Sequence, residues 1–139
     1  MRTRFPRGPA QLPHLLSTLK QFRPDHFRQS LRINPPTFDR LVVRLQNDIV
    51  FFNSAQNPQI PVEHQVAIAL YRFGHSGNAA GLDPVAKWAG YSKGTVHLAT
   101  QRVLAALTHS TFIEETICLP TEDEKERAKQ WVERHSCEA

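Results

Sequence analysis

The sequence predicts an all-α protein: a small helical bundle containing a helix-turn-helix, with a flexible basic N-terminal arm and an acidic C-terminal helix. Three observations predict it. Apolar residues recur three and four apart through the middle of the 139-residue chain, the spacing that gives a helix one buried face. Helix-start signals stand ahead of those runs, at Asn34-Pro35, at Ser92, and at Thr121 with Glu124. No apolar/polar alternation long enough for a strand is present.

Taken in order, residues 1–24 read as the arm, with four Pro, five Arg/Lys and little periodicity. Pro6, Pro9 and Pro13 speak against a helix there. Such an arm lies along a DNA backbone or in a minor groove in some helical DNA-binding domains; a disordered terminus is the plainer reading. A helical domain follows over 25–110, and 111–139 reads as a linker and a last helix. Within the domain, DHFRQSLRI is a short helix ended by Asn34-Pro35-Pro36. Asn34 as cap and Pro35 in the first turn then launch TFDRLVVRLQNDIVFF, whose Phe38, Leu41, Val42, Leu45 and Ile49 share one face. Asn53 to Pro61 is a loop by composition. PVEHQVAIALYRFG is the next helix, with Val62, Val66, Ala69, Leu70 and Phe73 as its buried stripe and Gly74 ending it; GHSGN is a loop.

The helix-turn-helix falls at 82–107. Asp83 and Pro84 suit the start of its first helix. Gly90 supplies the backbone freedom for a sharp turn, and Ser92 caps a second helix that is apolar at Val96, Ala99, Val103, Leu104 and Leu107. Small Ala86, then Gly90, then β-branched Val96 follow the spacing of the motif, with Val85, Ala89, Tyr91 and Ala99 at its other apolar positions. As a recognition helix, the second would turn Ser92, Lys93, Thr95, His97 and Gln101 to the major groove while Val96 and Ala99 face the core. Gln101 can pair with an adenine edge and Lys93 with a guanine or a phosphate; Arg102 and Lys87 would hold the backbone. A packed helical corner with solvated side chains has the same spacing. Thr121 and Glu124 finally form a capping box for EDEKERAKQWVERH, acidic at its start and basic later, with a thin apolar face of Ala128, Trp131 and Val132.

Charge is uneven along the chain. Residues 1–50 carry nine Lys/Arg against three Asp, residues 51–110 four against two, and residues 111–139 four against eight acids. That distribution fits a basic surface meeting phosphates with an acidic segment elsewhere. With 40% apolar and 22% charged residues the composition is ordinary for a globular domain, and no apolar run approaches the roughly 18 residues of a membrane span. The N-terminus lacks the apolar region of a secretory signal and only faintly resembles a transit peptide.

Catalysis and cofactors find no support. There is no GxxxxGK[ST] loop and no GxGxxG fingerprint. GHSGN departs from a nucleophile elbow at Asn78 and follows a helix rather than a strand. The acids cluster in one solvated segment, 122–138. Cys118 and Cys137 form neither a disulfide framework nor a zinc site, and His135 with Cys137 is a weak metal suggestion beside the plainer reading of a frayed helix end. No enzyme, no resident cofactor and no metal are expected.

The phrases ALYRFGHSGN (69–78), VAKWAGYSKGTV (85–96) and FRQSLRINPPTFDRLV (27–42) carry a resemblance. Across about Asp25 to Cys137 the chain resembles the N-terminal helical region of fungal PIF/Harbinger-type transposases and their domesticated nuclease relatives, of the DDE superfamily. The resemblance implies double-stranded DNA as partner, nuclear residence, and an RNase H-like domain beyond the last helix, whose acids would hold divalent metals. This sequence ends at Ala139, before any such domain, so no catalytic triad carries over. A truncated reading of the gene, a decayed element and a free-standing module are the alternatives this leaves. Harbinger-type systems also share DNA recognition with an accessory protein, so docking of that partner, or self-association through the 122–138 helix, is the competing expectation. A non-functional remnant is the third.

Overall fold

The computed structural model describes residues 8–52 and 56–136. The chain divides into two compact units, Met1–Thr108 and His109–Ala139. Eight helices and no strand are formed among the described residues, so the fold is all-α.

The first unit is built around one helix. Helix α1 starts at Gln11–His14, widens into a π-helical turn at Leu15–Leu19 and resumes at Lys20–Phe22. Helices α2 (Pro24–Leu31) and α3 (Pro35–Leu45) both begin with proline, whose fixed φ and missing N–H suit a first turn. Helix α4 (Val62–Gly74) packs against α2 and α3, and also against α5 (Leu82–Ala89) and α6 (Lys93–Thr108). Covered from several sides, it buries Gln65, Val66, Ala67, Ile68 and Ala69 in succession, each 0% exposed. Its run Val66, Ala67, Ile68, Ala69, Leu70 is apolar on every side, as suits the centre of a bundle. Phe27, Leu31, Phe38, Leu45, Val85, Val96 and Val103 complete the core.

Several expectations are corrected. The flexible arm over 1–24 gives way, from Gln11 to Phe22, to helix α1, whose Leu12 and Leu15 are buried and which packs on α5. Pro13 sits in the first turn of that helix, where its missing N–H breaks no bond. Lys20, counted among the arm's charges, lies 2.7 Å from Asp39 and 2.9 Å from Glu63, pinning α1 to α3 and α4. The arm's remainder, residues 1–7, lies outside the described residues. The helix expected across 37–52 stops at Leu45 and is followed by a 3-10 turn, Ile49–Phe51, capped by the Asp48 carboxylate. Ile49 is therefore exposed and Phe51 takes the buried place. On α4, Phe73 is exposed instead of buried, because the centre of the helix is enclosed and its C-terminal turn is not. Gly81, not Asp83, stands at the N-cap of α5. GHSGN includes the start of a further 3-10 turn, Gly77–Ala80.

Two glycines answer steric demands. Gly90 has φ 79°, the left-handed region, and a Cβ there would lie 2.5 Å from the Ala10 Cβ. Gly74 has ordinary helical geometry, but a Cβ would meet the Arg32 Cγ at 2.7 Å; Arg32 itself adopts a left-handed φ of 63° to end α2.

The second unit holds α7 (Ser110–Thr116), which falls in the expected linker, and α8 (Glu122–His135). The expected capping box is formed: the Glu124 N–H donates to the Thr121 hydroxyl (3.3 Å), and the Thr121 N–H donates to the Glu124 carboxylate (2.8 Å). No residue of α8 is buried, and Trp131 and Val132 are 63% and 54% exposed.

Candidate nucleic-acid interface

Helices α5 and α6 are joined by a three-residue turn, Gly90 to Ser92. The N–H groups of Gly90 and Tyr91 both donate to the Ala86 carbonyl (2.9 and 3.2 Å), which closes α5. This pair of hydrogen bonds to one carbonyl goes with the left-handed backbone that glycine adopts cheaply. The helices meet along Val85, Ala86 and Ala89 on one side and Val96, Ala99 and Val103 on the other, all buried.

Three connections fix this pair to α4. The indole of Trp88 stacks on Tyr71 (centroids 3.9 Å apart), which stacks in turn on His75 (4.0 Å). The Arg72 guanidinium donates to the Ala80 carbonyl (3.1 Å) and to the Thr100 hydroxyl (2.9 Å), and Thr100 passes a bond to the Val96 carbonyl (2.8 Å). Tyr91, in the turn, shares a 2.6 Å hydrogen bond with His64 Nδ1. Burial pushes the His64 pKa down, with nearby Glu63 opposing it, and pushes the Tyr91 phenol up.

The sequence-predicted residues divide into three groups. The side chains of His97 and Gln101 are exposed, one turn apart, and make no hydrogen bond or ion pair among the described residues. Ser92 is exposed and Thr95 half-buried, and both serve the start of α6: the Thr95 N–H donates to the Ser92 hydroxyl (3.1 Å) and the two hydroxyls lie 2.9 Å apart. Lys87 and Lys93 are exposed but drawn together by one carboxylate. Asp83 lies 3.0 Å from the Lys87 ammonium and 3.3 Å from that of Lys93, and these two cations, Lys87 first, hold its carboxyl below the usual range. Arg102 sits half-buried on the flank of α6.

Sequence reasoning missed three outward positions on α6. Leu104, expected in the core, is 43% exposed, and Leu98 is 47% exposed. The buried stripe runs Val96, Ala99, Val103, Ala106 instead, and this complete i, i+3, i+4 pattern is the signal that could have assigned the two leucines outward. Gly94, the third, faces open space: the nearest atom to a Cβ placed there is the Ser92 hydroxyl at 3.9 Å.

Beside the turn, Pro9, Ala10, Tyr71, Pro84, Lys87 and Trp88 line most of a cavity of about 690 Å³. Lys87 is the one charged residue of its lining, beside the Gln11 amide and otherwise mostly apolar and aromatic residues, so no acid and base converge there. No three His, Cys, Asp or Glu side chains gather as a metal site among the described residues, and no described helix is long and apolar enough to cross a membrane. His135 packs on Trp131 (4.5 Å between rings), with its Nδ1 2.8 Å from the Trp131 carbonyl oxygen; Cys137 lies outside the described residues.

The chain matches no protein-family model, no curated protein and no solved structure.

Proposed function

We propose that the α5–turn–α6 unit is a helix-turn-helix that binds double-stranded DNA, with α6 in the major groove and no catalytic role for this chain. The observation that carries the reading is the division of α6 into two faces. Val96, Ala99 and Val103 are buried against α4 and α5, while Lys93, His97 and Gln101 are exposed together on the other side. Three further features support it. The turn is held by Gly90 and Tyr91 where the motif places its turn. The first 110 residues carry a clear excess of Lys/Arg over Asp/Glu, which favours a phosphate backbone. The resemblance to the N-terminal region of Harbinger-type transposases points the same way, and with it to nuclear residence.

Fluorescence anisotropy with a mixed-sequence duplex tests this over roughly 50 to 200 mM salt, the range in which phosphate contacts weaken steeply. Binding should fall with salt and fall further in a Lys93→Ala/Gln101→Ala variant. A cooperatively folded chain that does not bind any duplex would sink the proposal, and one without a cooperative melt would be a remnant.

A second reading has its own observation. Ile117, Leu119, Trp131 and Val132 are all more than half exposed in the second unit, an apolar surface suited to an accessory protein or a second copy. Association through it would resist salt, whereas DNA binding would not.

A further inference from the structure

The outward face of α6 has an unusual chemical make-up for a helix expected to lie against DNA. Gly94, Leu98 and Gln101 follow one another four and three residues apart, so they share a line along the exposed side, with His97 beside them. The one cation exposed on this face, Lys93, is 3.3 Å from Asp83, and Arg102 is half-buried on the flank. Among the described residues, α6 itself carries no exposed Arg in the middle of the face. Guanine is read chiefly by Arg or Lys on its O6 and N7, adenine by the bidentate amide of Gln or Asn, and thymine by apolar contact with its methyl group. Gln101 has a free amide and Leu98 a free aliphatic side chain three residues away.

Resting on the DNA-binding reading above, we propose that α6 selects A·T over G·C base pairs in the major groove. Gln101 takes the adenine N6 and N7 edge, and Leu98 packs on a thymine methyl of the same or the adjacent pair. Gly94 supports this geometry. Glycine within a helix is unfavourable relative to alanine, and no described residue requires the missing side chain: Gly94 lies within α6, and a Cβ there would come no nearer to another atom than 3.9 Å, at the Ser92 hydroxyl. The vacancy lets a groove edge approach the first turn of α6 closely, bringing Leu98 and Gln101 within reach of the bases. The basic balance of the surrounding unit supplies attraction to phosphate without sequence information.

The test uses the full chain and two duplexes of equal length at one salt concentration, one of alternating A·T and one of alternating G·C pairs. The expected preference for A·T is roughly 5- to 100-fold, the discrimination that a good base contact provides. Replacing thymine by uracil removes only the major-groove methyl. It should weaken the parent chain and leave the affinity of a Leu98→Ala variant unchanged. Gln101→Ala should lose most of the A·T preference while keeping the parent's dependence on salt, because it removes a base contact and not a phosphate contact. Both side chains are exposed, so both variants should melt with the parent. Salt-dependent binding of equal strength to both duplexes would overturn the A·T inference and leave the DNA reading intact. An A·T preference insensitive to uracil, to Leu98→Ala and to Gln101→Ala would also overturn it, placing the selection in the minor groove. Failure of the folded parent to bind either duplex would overturn both.

Discussion

Helices α4 and α8 differ in what holds them. Helix α8 has every local advantage: a complete capping box, three acids in its first turn, and Arg134 and His135 in its last. It buries nothing. Helix α4 has no side-chain cap bond at Pro61 and one acid in its first turn, yet five successive residues are sealed from solvent. The contrast separates two causes. Caps and dipole complementarity decide where a helix begins and ends, at a few tenths to about 1 kcal/mol each. Burial decides whether the helix is part of a cooperative core, and removal of a single aliphatic side chain there costs several times as much.

Four experiments can break or sharpen this contrast. The largest effect is expected at the centre of α4: Ile68→Ala should cost about 3 kcal/mol in denaturant unfolding, the range for a fully buried large-to-small change. A cost below about 1 kcal/mol would mean that α4 is not the hub. Next is Gly90→Ala, which forces a Cβ into a left-handed turn and against Ala10; about 2 kcal/mol should be lost, with no change in the slope against denaturant. A smaller effect is expected from acid. Burial holds His64 less basic than in the unfolded chain, so the unfolded state takes up the proton first. Stability is therefore full above the ordinary histidine pKa near 6.5 and declines as pH falls below it. Melts between roughly pH 7 and 5 should show this decline, and a His64→Gln variant should flatten it. The smallest effect belongs to α8. Thr121→Ala should cost that helix about 1 kcal/mol, seen as reduced helical circular dichroism, and Trp131→Ala should leave the main melting transition where it was. If the parent's transition instead rises with its concentration and Trp131→Ala removes that dependence, a second copy covers that face.

What could be read from the sequence follows the same division. Helix starts at Pro35, Ser92 and Thr121 were legible because a cap or first-turn proline is a local signal. The division of α6 into an inner and an outer side was legible at Val96, Ala99, His97 and Gln101. Leu104 was misassigned because Ala106, a small residue, fills the core position one turn beyond Val103. The arm was misread for a different reason. Pro13 looked like a helix breaker, but its position in the first turn makes it harmless, and burial of Leu12 and Leu15 then draws the segment into the first unit. Gln65 was invisible to hydropathy altogether. It is a buried polar residue near the start of α4, where the loop before the helix offers its amide two acceptors, the Gln59 side chain (3.1 Å) and the Ile60 carbonyl (2.9 Å). On Asp83, the Lys87 arm of the ion-paired fork is an i,i+4 spacing legible within one helix, whereas the Lys93 arm was hidden, since it depends on how two helices face each other across the turn.

The contact of Arg32 with Gly74 bears on how this chain can change over generations. A glycine with ordinary helical backbone, as at 74, is usually free to be replaced, and an exposed arginine is usually free to be anything polar. Here the two positions, 42 residues apart, restrict each other's alternatives. A side chain at 74 would meet the Arg32 Cγ at 2.7 Å, so it favours a shorter residue at 32 or a shifted arginine. Among divergent descendants of this sequence the two positions should therefore drift as a pair, a statistical link that would reveal the α2–α4 packing without any coordinates.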